Sequence, residues 1–192
     1  MDKKTRRRLL MGKHLRIFNG SGFDGCEVLE KQFVTFANGK AVLSAQKKTQ
    51  INDYTYGMID SYPAAYIQLK VPAAGFARCV VKYSAKNVKS LKKAYKQKAY
   101  SIIISDTETK IYDMALGTGP NPVYVNYVWA EEKGNAEKAE FASENPPEEI
   151  EGTFIVDISG FENVYIAAIT AENDISGNEA GYISINELWL EG

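Results

Sequence analysis

The sequence predicts an all-β protein: a jelly-roll-like antiparallel β-sandwich with a basic N-terminal arm and one short helical segment. Three observations lead there. Short runs of alternating apolar and polar residues recur along the chain, separated by turn-forming Gly, Asn and Pro. Only one stretch has the three-and-four spacing of a helix. The final stretch, "GYISINELWLEG", changes its apolar face in mid-strand, as a bent strand does. At 192 residues the chain fits one domain, and a chain of this size buries roughly 70% of its unfolded surface.

Residues 1–14 read as the arm and 15–192 as the sandwich. Lys3, Lys4, Arg6, Arg7, Arg8, Lys13 and Arg16 face Asp2 alone in the first sixteen positions. "LRIF" is a short strand ending in the glycine-rich turn "NGSGFDG". "FVTF" and "AVLSA" flank Asn38-Gly39, a dipeptide that accepts the positive φ angles of a tight hairpin turn. In "AAYIQLKV", Ile67, Leu69 and Val71 alternate with Tyr66, Gln68 and Lys70, which predicts a strand with the first three inward.

"ARCVVKYSA" places Cys79, Val81 and Tyr83 on one face, and "YSIIIS" is a short, wholly apolar run. Between them, Val88, Leu91 and Tyr95 recur at helical spacing among lysines, giving the helical segment one or two turns. "PVYVNYVWAE", "GTFIVDIS" and "VYIAAIT" are further strands, bringing the expected total to eight to ten. Residues 131–151 contain eight glutamates against Lys133 and Lys138, and two prolines, and read as an acidic projecting loop.

The terminal strand calls for a β-bulge near Asn186-Glu187. One extra residue lets Ile183 and Ile185 share a face with Leu188 and Leu190, and turns Trp189 to the other face.

Two motifs at the end of the chain resemble those of galactose-binding-like β-sandwiches. One is Val164-Tyr165-Ile166-Ala167-Ala168; the other is Ile183-x-Ile185-x-Glu187-Leu188-Trp189. The resemblance implies that these segments form the closing hairpin of the sandwich. Folds of this kind recur as carbohydrate-binding modules and in tail, fibre or baseplate proteins of bacteriophages.

Composition excludes several function classes. Net charge is −1, so no global field recruits nucleic acid. No stretch approaches the ~20 apolar residues of a membrane span. "TRRRLLMGKH" looks like a twin-arginine signal, but no apolar segment follows it, and no signal peptide is expected. Neither a dinucleotide fingerprint nor a phosphate-binding loop occurs. His14, the single histidine, sits in the arm and reads as a surface or interface residue. Cysteine catalysis would need that same histidine to activate Cys26 or Cys79; Cys79, in an apolar strand, reads as a buried thiol, and the sequence leaves open whether the two cysteines pair. Glu172, Asn173, Asp174, Asn178 and Glu179 lack the spacing of a calcium loop and read as a polar turn. No catalytic residue, metal site or cofactor is assigned.

Two candidate surfaces remain. "INDYTYGMIDSYP" offers Tyr54, Tyr56 and Tyr62 with Asn52, Asp53 and Asp60, in an expected loop. Aromatic faces accept the C–H face of a sugar ring while the polar groups take its hydroxyls. In the arm, Arg6, Arg7 and Arg8 with Leu9, Leu10 and Met11 are suited to subunit docking, through guanidinium–carboxylate pairing and apolar contact.

The leading expectation is a non-catalytic structural or adhesion component of a phage or phage-like particle. It would assemble in the bacterial host cytoplasm into the virion, with other virion subunits or copies of itself as partners in a homo-oligomer or larger assembly. The alternative is a carbohydrate-binding module for a cell-surface glycan. Neither membrane nor nucleic acid is an expected partner.

Overall fold

The hairpin at Asn38-Gly39 forms as its sequence dictates. Both residues take positive φ, 52° and 73°, and Ala37 pairs with Lys40 across the turn. A computed structural model describes residues 12–44, 48–52, 57–61, 65–86, 100–118, 123–140, 149–170 and 182–192. Among these are fifteen strands and no helix. The expected helical segment, residues 1–11 and the 172–179 turn lie outside the described residues.

In chain order the strands are β1 (His14–Phe18), β2 (Glu27–Gln32), β3 (Val34–Ala37), β4 (Lys40–Ser44), β5 (Lys48–Asn52), β6 (Gly57–Ser61), β7 (Ala65–Pro72) and β8 (Arg78–Lys86). They continue with β9 (Tyr100–Ser105), β10 (Lys110–Thr118), β11 (Val123–Glu131), β12 (Ala136–Glu140), β13 (Glu149–Asp157), β14 (Asn163–Thr170) and β15 (Tyr182–Glu191). Two antiparallel sheets form the sandwich. One has the order β13-β8-β15-β4-β3, with β1 also on β15; the other is β12-β9-β14-β7-β2. β5–β6 and β10–β11 are separate two-stranded hairpins.

β15 contains the expected bulge. Its register against β8 slips between Ile185 and Glu187, so Asn186 is the extra residue. Ile183, Ile185, Leu188 and Leu190 are all fully buried, and Trp189 is half-buried on the opposite face. The slip falls where β15 exchanges partners: Tyr182–Ile185 pairs with β4, and Leu188–Glu191 with β1. Asn186 Nδ2 donates to Ser84 Oγ at 2.7 Å, and its Oδ1 accepts from Ser184 Oγ at 2.9 Å. The amide thus satisfies two serines that are wholly buried.

The final two strands are not a closing hairpin. β14 lies between β7 and β9, whereas β15 lies between β8 and the β4/β1 pair. Both edges of each strand are already occupied, so the two meet across the core instead of side by side.

Ile67, Leu69 and Val71 point inward as expected. The opposite face of that strand departs from the expectation, because Gln68 is also wholly buried. On the same outer face, Ile103, Ala167 and Ile169 are buried too. The β10–β11 hairpin accounts for this. Ile111 and Ala130 pack on the core, and the Thr109 N–H just before β10 donates to Gln68 Oε1 at 2.9 Å. Gln68 Nε2 donates to Glu30 Oε1 at 3.5 Å.

The acidic segment 131–151 is not loop throughout. Ala136–Glu140 forms edge strand β12 on β9, a place where alternating charges remain solvated while the backbone pairs. Cys79 is buried in the core, and burial pushes its thiol up. Cys26 is half-buried; desolvation and then Asp24 raise it. Both cysteines are free.

Candidate functional site

The tyrosine-rich stretch becomes part of a hairpin. Asn52 pairs with Gly57 at the end of β5–β6, and Asp60 pairs with Thr49. The expected loop is therefore strand at Asn52 and from Gly57 to Ser61, because the two short segments pair with each other. Asp53, Tyr54, Tyr56 and Tyr62 lie outside the described residues, as do Arg6, Arg7, Arg8, Leu9, Leu10 and Met11.

His14 is exposed at the start of β1, stacked beside Trp189 with ring centroids 6.2 Å apart. Lys82 sits over the same indole at 5.6 Å and is tied to Glu187 at 2.9 Å. That aromatic surface is already occupied by the protein's own side chains.

Ser84 and Lys40 lie 3.3 Å apart, Oγ to Nζ, the pairing of a nucleophile and a base. Here the hydroxyl donates to Glu151 Oε1 at 3.3 Å and accepts from both Lys40 and Asn186. Its one proton and both lone pairs are used in a part-buried network that reaches the exposed Glu151.

An open cleft lies at the end of the sandwich where β9 leaves its sheet and β13 turns into β14. The turn is strongly specified. Ile158 is buried, and its N–H donates to the Ala77 carbonyl at 2.8 Å. The Phe161 N–H donates back to the Ile158 carbonyl at 3.0 Å, with Gly160 at φ +88°, the position where a type II turn needs positive φ. Asp157 Oδ1 accepts from the Ser159 N–H at 2.8 Å. These bonds set Phe161 on the end of the sandwich, half-buried.

Phe161 borders two hollows. One, of about 430 Å³, is bounded by Asp106, Thr107, Asn135, Glu162, Asn163 and Tyr165. The other, of about 410 Å³, is bounded by Asn135, Glu137, Val156 and Asp157. Phe161, Ser159 and Asn135 border both. Another part of the lining is held by one carboxylate. Asp106 Oδ1 accepts from the Asn135 N–H at 2.9 Å and from Thr107 Oγ1 at 3.0 Å, and Oδ2 accepts from Asn135 Nδ2 at 2.8 Å.

The Asn135 backbone bond is the largest influence holding Asp106 below the usual carboxylate range. The Ser159 hydroxyl, followed by its backbone N–H, does the same for Asp157. Both acids are therefore charged at neutral pH. Among the described residues the charged side chains bordering the two hollows are the carboxylates Asp106, Glu137, Asp157 and Glu162, with Arg78 close enough to act on Asp157.

No protein-family model matches this chain. No curated protein matches it either. Among solved structures, a CBM4 is similar at a TM-score of 0.35 and 12% identity, over 88% of this chain and 79% of that one. The enzymatically active domain of tailspike protein 4 from bacteriophage CBA120 is similar at 0.37 and 10% identity, over 91% of this chain. This chain spans only 21% of that tailspike chain. The K2 cleaved adhesin domain of Lys-gingipain is similar at 0.33 and 13% identity, over 92% and 97% of the two chains. At such distances no residue role passes from them to this chain.

The cleft's groups are able to hydrogen-bond hydroxyls. Carboxylates accept two or more hydrogen bonds each, amides both donate and accept, and the Phe161 and Tyr165 rings offer apolar faces. Among the described residues no group of three or more His, Cys, Asp or Glu is arranged to hold a metal ion.

Gly134, beside Asn135, is at φ +68°, and a Cβ there would collide with Asp106 Oδ1 and Thr107 Oγ1. Gly134→Ala is expected to cost at least about 1–2 kcal/mol from the left-handed backbone alone. It should also break the Asp106–Asn135 bonds. Urea unfolding measures the first effect, and amide exchange at Asn135 the second.

The sequence reading missed this cleft. Its signals were Gly134-Asn135 and Asp157-x-Ser159-Gly160, both turn motifs, and neither announces that the two turns meet.

Proposed function

We propose that this chain is a non-catalytic, glycan-binding β-sandwich whose ligand lies across Phe161. The observation that supports this reading is an aromatic ring that borders two hollows lined with carboxylates and amides at the end of the sandwich. A sugar ring placed on Phe161 would bring hydroxyls on either side within reach of Asn135, Asn163, Asp106 and Asp157. Carboxylates make the stronger, charge-assisted bonds to hydroxyls. With four carboxylates at its border among the described residues, and Arg78 acting on Asp157 alone, the cleft favours neutral sugars or amino sugars. It repels uronic and sialic acids.

A glycan array probed with the full chain should give hits among neutral or amino-sugar oligosaccharides, which remain uncleaved after incubation. Phe161→Leu keeps most of the apolar volume and removes the ring. It should weaken binding about threefold to tenfold, the worth of an aromatic stacking contact, with little change in melting temperature. Loss of binding in Tyr54→Ala or Tyr56→Ala, with Phe161→Leu unaffected, would move the site to the β5–β6 hairpin. An array without hits would defeat the carbohydrate reading.

A further inference from the structure

The four sheet edges are not alike. β2 is bulged between Val28 and Glu30 and carries Glu27, Glu30 and Lys31. β12 alternates Glu137, Lys138 and Glu140, and β3 is four residues long. Charges, bulges and shortness all discourage a further strand from pairing. β13 is neither short nor bulged, and its charges, Glu149, Glu151 and Asp157, leave an uncharged centre. It is nine residues long, its stretch from Gly152 to Val156 carries no charge, and among the described residues only β8 pairs with it. Ile155, at 55% exposed, is the most exposed large apolar residue described. Glu151, Thr153 and Ile155 alternate along one exposed face of this edge strand.

We propose that the free edge of β13 receives the basic arm of a second copy as an added strand. The match is one of charge and order. Alternate arm residues read Lys4, Arg6, Arg8, Leu10; alternate β13 residues read Glu149, Glu151, Thr153, Ile155. Both run from charged to apolar, so a parallel pairing sets Arg6 beside Glu151 and Leu10 beside Ile155. Backbone bonds along the edge would supply affinity, and the side-chain match would fix the register.

The arm of the same copy is too short for this register. Gly12 lies against Gly192 at the end of β15, where the Gly192 N–H donates to the Lys13 carbonyl at 2.8 Å. A strand added outside β13 lies three strand spacings from β15, about 14 Å. Leu10 to Gly12 reaches at most about 7 Å. Reciprocal exchange of arms closes a dimer, and one-way docking builds rings or filaments.

The test is sedimentation velocity of the full chain over a concentration series, at low and high salt. Association that weakens with salt is expected. Arg6→Glu and Glu151→Arg should each raise the dissociation constant about tenfold, and the double variant should restore it, which a merely destabilising change would not do. Ile155→Lys should weaken association while the melting temperature holds. A chain that stays monomeric throughout, association indifferent to both single variants, or a double variant that fails to recover would each overturn the proposal.

Discussion

Leu190→Ala is expected to lower the free energy of unfolding by about 2–5 kcal/mol, the range for a leucine truncated in a packed core. Leu190 is wholly buried, paired in register with Cys79 on one side and Leu15 on the other. Its place depends on Asn186 being bulged out of register. Were Asn186 paired in the ladder, the strand's alternation would turn Leu188 and Leu190 out to solvent and Glu187 in. Deleting Asn186 should cost less than such a reversed face would, because joining Ile185 to Glu187 gives an unbroken register that keeps Leu188 and Leu190 inward. The loss is that of the bonds to Ser84 and Ser184, about 1–3 kcal/mol. Urea denaturation of the two variants checks both statements, and a Leu190→Ala protein of unchanged stability would show that the site collapses without cost.

Gln68→Met is expected to cost about 1–3 kcal/mol, although Met fills nearly the same volume. Gln68 Oε1 is the acceptor for the buried Thr109 N–H, and an orphaned buried donor carries its full desolvation penalty. The loss should be local first. Hydrogen exchange at Thr109 and along β10–β11 should accelerate before the core amides of β7 and β14 respond. Equal acceleration everywhere would mean that the hairpin is not separately held by this bond.

These two residues mark what the sequence made legible. The alternation around Ile183, Ile185, Leu188 and Leu190 is a local pattern, and it contains both the burial and the bulge. The Asn38-Gly39 turn and the inward Ile67, Leu69 and Val71 are local in the same sense. Gln68 is not. Read along its own strand it is a solvent-facing position, and only a hairpin forty residues later makes it a core residue. β12 shows the reverse: its charges hide a strand because an edge leaves them in water. The cleft is harder still, since Asp106, Asn135 and Phe161 belong to three separate connections. Each shows only turn chemistry until the sheets bring them together. The tyrosine-rich stretch stood out because its aromatic and polar residues are consecutive, a property that a site assembled by tertiary structure need not have.

The position of β15 has a consequence for how the protein is made. This is the last strand in the chain, yet it is the centre of its sheet, touching β8 along one side and β4 and β1 along the other. During synthesis, β1, β4 and β8 leave the ribosome long before their common partner exists. The second sheet can assemble by Thr170, but the first must wait for residues 182–191. Contacts of such long sequence separation slow folding and prolong the time that unpaired edges are exposed. The first sheet thus closes only once β15 is available, and a ribosome stalled before Tyr182 would hold a half-built sandwich with its core open.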